Sequence, residues 1–226
     1  MDLLPAQLEV PSAPLERKHV PQAGEWKTFR PCLRIDFDYT CAFCRCHEAD
    51  LVELGAQGTG LFAIEHFYPR AKFQSLENNY DNCFYICRYC NGPRNAKPNV
   101  AKDGRELLNP CDEAWSEHFE YVSDEYRLVP KNPDAEYTDE CYKLNTPRKV
   151  KSREQRFQVI SERAETILSA PARVKALRDL MLKLTGEDRK TILAQLLRER
   201  RAIQGARQDL ERYLKVPADA PLTCNC

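Results

Sequence analysis

The chain has 226 residues, 42% hydrophobic and 30% charged, with 34 Lys/Arg balanced by 34 Asp/Glu. That composition excludes a disordered polar chain, suits one ordinary domain with a substantial extension, and argues against a chain that coats nucleic acid by bulk charge. No apolar run approaches membrane-spanning length and the first residues lack a signal-peptide pattern, so a cytoplasmic, membrane-free protein is expected, in which eleven cysteines stay reduced or bind metal.

In chain order, residues 1–26 hold four prolines and no periodic pattern, and read as an extended, mobile N-terminal arm. Residues 27–147 mix short β-like runs with turn residues and nine of the eleven cysteines. Within them "GTGLFAIEHFYP" reads as a turn and a strand through Leu61–Ile64, stopped by Pro69. "NNYDNCFYIC" reads as a turn and a second strand, Cys83–Ile86, and 88–97 as a short helix weakened by Gly92 and Pro93. From 148 the period becomes helical, with Phe157, Ile160, Ala164 and Ile167, then Val174, Leu177, Met181 and Leu184, at three- and four-residue steps. Pro171 is expected to separate two helices there. "GEDRK" at 186–190 starts another, marked by Ile192, Leu196, Ile203, Leu210 and Leu214. The helical extension covers 148–215 and a tail 216–226.

Cys41-x-x-Cys44 and Cys87-x-x-Cys90 are two metal-ligand steps separated by 42 residues. Four thiolates suit tetrahedral zinc at about 2.3 Å, and such a site has no open position for water, so the metal is expected to be structural. Cys46 and His47 lie close enough to replace one ligand. Between the two steps lie Glu65 and His66 at the end of the first strand and Asn82 at the start of the second, and Asn91 follows the last cysteine. Singly, these residues read as a surface charge, a core histidine and turn asparagines. Together they describe a strand–turn–strand–helix with a base, a carboxylate and an amide at element ends.

This pattern resembles the HNH endonuclease family, in its zinc-bound branch with asparagine at the third motif position, most clearly over 27–105. The resemblance implies an α+β fold: a zinc-stapled ββα-metal core over 27–147 with an α-helical C-terminal extension. It implies His66 as general base, Glu65 and Asn91 as ligands with His66 around a catalytic Mg²⁺ or Mn²⁺, and Asn82 as the brace of the base's loop. Arg94 and Lys97 match the basic residues that would face phosphate. The chemistry is consistent: phosphodiester hydrolysis needs an activated water and a hard cation with oxygen ligands, and neutral imidazole suits the proton transfer near pH 7. DNA is favoured as substrate over RNA on family grounds. The alternatives are an RNA-cleaving nuclease and a non-catalytic zinc-ribbon adaptor that binds nucleic acid or protein.

Charge is unevenly spread. Residues 148–215 carry 18 Lys/Arg against 9 Asp/Glu, and 106–147 carry 3 against 11. The two stretches could pair with each other or stay solvated; Arg198, Arg200, Arg201 and Arg207 could grip a nucleic-acid backbone; or the helices could dock a partner. In size and domain order the chain also resembles, more loosely, the nuclease subunit of Septu-type antiphage defence systems, which implies a companion ATPase subunit.

Overall fold

A computed structural model describes residues 10–19, 21, 24–51, 58–94 and 97–214. It is mixed α/β and divides into two compact units, Pro5–Arg156 and Phe157–Pro217. The elements in order are α1 (Arg30–Asp36), β1 (Phe62–His66), β2 (Cys83–Cys87), α2 (Arg88–Arg94), α3 (Trp115–His118), β3 (Phe119–Val122), β4 (Arg127–Pro130), α4 (Pro133–Tyr142), α5 (Pro147–Met181) and α6 (Gly186–Leu214).

In the larger unit β1 and β2 form an antiparallel pair, and β3 and β4 form another. The first strand runs two residues beyond its expected end, because pairing of Glu65 with Phe84 and of His66 with Cys83 carries the ladder to the histidine. Every residue of β2 is buried, as a strand covered on both faces requires. Phe84 lies among Phe37, Phe43 and Phe67, with ring centroids 5.6–5.8 Å away, and Phe43 stacks on Tyr142 at 3.8 Å. Asn132 starts α4 by accepting the Ala135 N–H at 2.9 Å, ahead of Pro133 in the first turn, where a missing N–H costs nothing.

The described part of the N-terminal arm is hydrogen-bonded to the rest of its unit. Ser116 N–H donates to Pro11 O at 2.9 Å, Leu15 N–H to Pro110 O at 2.7 Å and Lys18 N–H to Asp36 Oδ1 at 3.0 Å. The Arg17 guanidinium lies 4.6 Å from the Phe84 ring centroid and 5.2 Å from those of Phe37 and Tyr80. Polar backbone and one stacked cation fix a segment that has no hydrophobic period of its own.

The boundary near 147 also moves. The first ten residues of α5 belong to the larger unit, where Lys149, Arg153 and Arg156 are buried. In the smaller unit the remainder of α5 lies antiparallel to α6, as the ion pairs Arg163–Asp209 (2.8 Å) and Arg173–Glu199 (3.0 Å) show by their opposite numbering. Pro171 does not divide the helix. Its φ suits a helix, and the Arg173 guanidinium donates to Thr166 O at 3.3 Å in the turn that the proline weakens. Ala170 is buried beside it, so tertiary packing outweighs the local preference. Gly186 opens α6 at φ +59°, a conformation that favours glycine. The tail 216–226 lies outside the described residues. No helix among them is long and apolar enough to cross a membrane.

Candidate active site and metal centre

The Sγ atoms of Cys41, Cys44, Cys87 and Cys90 lie within 4.8 Å of one another, all fully buried, and Cys44 Sγ is 3.5 Å from Cys87 Sγ. Sulfurs on a tetrahedron of zinc bonds sit about 3.8 Å apart, so four convergent thiols at this spacing can hold a structural metal such as zinc. The first pair sits in a tight turn, with Cys41 N–H donating to Cys46 O and Arg45 N–H to Cys41 O, and Arg45 at φ +60°. Cys46 and His47 fall outside this cluster of four sulfurs. His47 instead caps a short turn, its Nδ1 accepting the Ala49 N–H at 3.0 Å.

The second pair explains α2. Seven residues that include Gly92 and Pro93 are too short and too poor in helix formers to hold a helix alone. Cys87 ends β2 and Cys90 lies in the first turn of α2, so a shared metal would pin strand end and helix start together. Ala42 N–H donates to Tyr85 O at 3.0 Å, tying the first turn to the same strand. The turns are backed by cations from α5: Arg153 donates to Cys44 O at 3.3 Å, Arg156 to Arg45 O at 2.9 Å, and Lys149 Nζ to Tyr142 O at 2.5 Å and Lys143 O at 2.9 Å. Burial alone would lower the Lys149 pKa, but the thiolates of Cys90, Cys44 and Cys87 outweigh it and hold the ammonium above its ordinary value.

Glu65, His66 and Asn91 line one open cleft of about 910 Å³, at the end of β1 and the start of α2. His66 is 7% exposed. Its Nε2 lies 2.9 Å from the backbone carbonyl of Glu77, which can only accept, so Nε2 carries the proton and Nδ1 keeps the lone pair. Burial lowers the His66 pKa, with the Glu77 carbonyl opposing, so the ring is neutral near pH 7. Burial pushes Glu65 up to about 7, with the Arg94 charge opposing. Neither the Glu65 carboxylate nor the Asn91 amide takes a hydrogen bond among the described residues. Carboxylate and amide oxygens are donor types that a hard divalent cation takes.

Asn82 is 4% exposed and stands apart from that cleft, at the end of the loop that follows His66 and carries Glu77. Its Oδ1 accepts the Tyr68 N–H at 2.7 Å and its Nδ2 donates to Tyr68 O at 3.0 Å and Leu76 O at 3.1 Å. It therefore ties Tyr68 and Leu76 of the loop together and does not line the cleft.

Arg94 and Lys97 do not face the cleft opening. Arg94 is 1% exposed, donating to Phe67 O at 3.4 Å, to Asn99 Oδ1 at 3.2 Å and to Lys97 O. It ties the end of α2 to the residue after His66. Lys97 Nζ donates to Glu140 O at 2.6 Å, near the end of α4. The cations that do line the cleft are Lys27, Arg30 and Arg70, beside Trp26. The Trp26 ring meets the His66 ring edge-on at 5.2 Å, with Arg70 Cζ 5.2 Å and Lys27 Nζ 5.8 Å from its centroid. The alternation of aromatic and basic residues in "WKTFR" and the base after Pro69 were the available signals. Of the arginines expected to grip a backbone, Arg198, Arg200, Arg201 and Arg207 are all exposed on α6.

The chain matches no family model, no curated protein and no solved structure.

Proposed function

We propose that the chain is a metal-dependent endonuclease of the HNH type that hydrolyses phosphodiester bonds in nucleic acid, DNA in preference to RNA. One observation carries the reading: a carboxylate, an imidazole and an amide, 26 residues apart from first to last, line one cleft at the junction of a hairpin and a helix pinned by four cysteines. Glu65 and Asn91 would hold a Mg²⁺ or Mn²⁺ ion, which when bound supplies positive charge to the phosphate and leaving oxygen. His66 Nδ1 takes the proton of a water as its oxygen attacks phosphorus. The P–O3′ bond breaks on the opposite side, and the leaving oxygen takes a proton from solvent. The Glu77 carbonyl fixes the ring that does this, and Asn82 fixes the loop that carries Glu77. The zinc-class centre takes no part in the chemistry, since four thiolates leave it closed.

The test is incubation of the full chain with plasmid DNA and with RNA in Mg²⁺, in Mn²⁺ and in EDTA. Metal-dependent cleavage by wild type that His66→Ala abolishes, at unchanged zinc content, is the expected result. Wild-type cleavage by His66→Ala would overturn the mechanism, and metal-independent silence on every substrate would leave a zinc-ribbon adaptor. The service of this nuclease in an antiphage complex with a companion ATPase rests on the looser resemblance, and co-purification of a genomic neighbour tests it.

A further inference from the structure

We infer that the wall of the cleft formed by Trp26, Lys27, Arg30 and Arg70 is the phosphate-holding surface for the substrate strand, in place of Arg94 and Lys97. This rests on the nuclease reading of the same cleft. Arg94 is buried and donates to Phe67 O, Asn99 Oδ1 and Lys97 O, Lys97 Nζ donates to Glu140 O, and neither residue lines the cleft. Lys27 and Arg70 are exposed, 43 residues apart in the chain, and both lie on the one indole ring that also packs on His66. Two cations gathered on one ring repel each other. The ring's quadrupole offsets part of that cost, and the Glu77 carboxylate, 3.4 Å from Arg70, offsets another part. A polyanion passing along the wall would satisfy both at once. Arg30 adds a third cation from the first turn of α1. Each of the three sits in the same cleft as the His66 base, so phosphates held there flank the one under attack. The indole between them gives the wall an apolar face for a sugar or base.

The test measures binding of a fluorescent 20-mer oligonucleotide by anisotropy across a salt series, without added Mg²⁺ or Mn²⁺ and in the His66→Ala background, so that turnover does not intervene and the cysteine centre keeps its metal. Each lost phosphate contact lowers the slope of log affinity against log salt by about 0.7–0.9. Lys27→Gln/Arg30→Gln/Arg70→Gln is expected to lower that slope by roughly 2 and to weaken binding at least about tenfold at 0.1 M salt. Lys102→Gln, an exposed lysine of the same unit away from the cleft, is expected to change neither. If the triple variant loses zinc or helicity, Lys27→Gln/Arg70→Gln at the two exposed positions carries the test, with a slope drop of roughly 1.5. An unchanged slope and affinity overturn the inference, and if wild type still cleaves, the nuclease reading survives that result. Reduced slope in a chain that cleaves nothing supports the phosphate wall and counts against the nuclease.

Discussion

Asn82 grips the Tyr68 peptide at both ends, accepting its N–H at 2.7 Å and donating to its carbonyl at 3.0 Å. A third bond to Leu76 O spans the loop, and the Asn82 carbonyl accepts the Phe67 N–H at 2.9 Å. The loop between β1 and β2 is thus closed from inside, and its Glu77 carbonyl meets the His66 ring because of that closure.

Asn82→Ala leaves a buried N–H and two carbonyls without partners, and is expected to cost about 3 kcal/mol in chemical denaturation. If the chain is the proposed nuclease and Asn82 acts by position, the folded variant keeps its oligonucleotide affinity and loses kcat. A variant with full kcat would show that the loop does not aim His66.

The four-cysteine centre is expected to hold one zinc per chain. Cys90→Ala should abolish stoichiometric zinc, measured by mass spectrometry of metals, and lower Tm by several degrees. Cobalt exchanged into wild type should show the strong charge-transfer absorption of thiolate ligands, and Cys46→Ser should keep it. Loss of that absorption in Cys46→Ser would put Cys46 in the ligand set. Chelation of the centre is expected to remove the order of α2, since its composition does not sustain a helix of seven residues.

Lys149 is 0% exposed and donates to two carbonyls beside the thiol cluster. Lys149→Met keeps the stem and removes the charge. It is expected to destabilise the larger unit by about 2–4 kcal/mol and to weaken zinc binding about 10- to 100-fold in chelator competition. Unaltered zinc affinity would reduce Lys149 to a helix-end cap.

His47 supplies a pH dependence. Burial lowers its pKa from 6.5 to about 3, with Arg156, Arg34 and Arg45 adding repulsion. The folded state then binds fewer protons than the unfolded state between those values, so stability falls as pH drops below 6.5. Asp50, raised to about 6, acts in the other direction, its contribution being lost as pH rises from 3.8 to 6. Comparison with His47→Asn cancels the Asp50 effect and keeps an acceptor for the Ala49 N–H. At zinc saturation, the wild type is expected to lose about 1 kcal/mol relative to that variant between pH 6.5 and 5.5, by urea denaturation. Parallel curves would mean that the imidazole titrates in the fold as it does in the unfolded chain.

The sequence by itself determined the elements whose cause is local. Cysteines two residues apart share a turn, a Gly-Pro pair shortens α2, and a change of period near 148 announces helices. Glu65 and His66 at the end of the first strand and Asn82 just before the second were legible for the same reason, whereas Asn91 lies inside α2. Only the tertiary structure decided where the charges went. Arg94 and Lys97 stand in a basic stretch, but their partners lie at Phe67 and Glu140, and Lys149, Arg153 and Arg156 turn inward from an apparently solvated helix. Trp26, Lys27 and Arg30 reach His66 and Arg70 across about 40 residues of chain, a closure that no spacing rule encodes. A long cation has several partners within reach, and which one it finds depends on the packing of elements distant in sequence; a zinc-ligand turn is set by the four residues that form it.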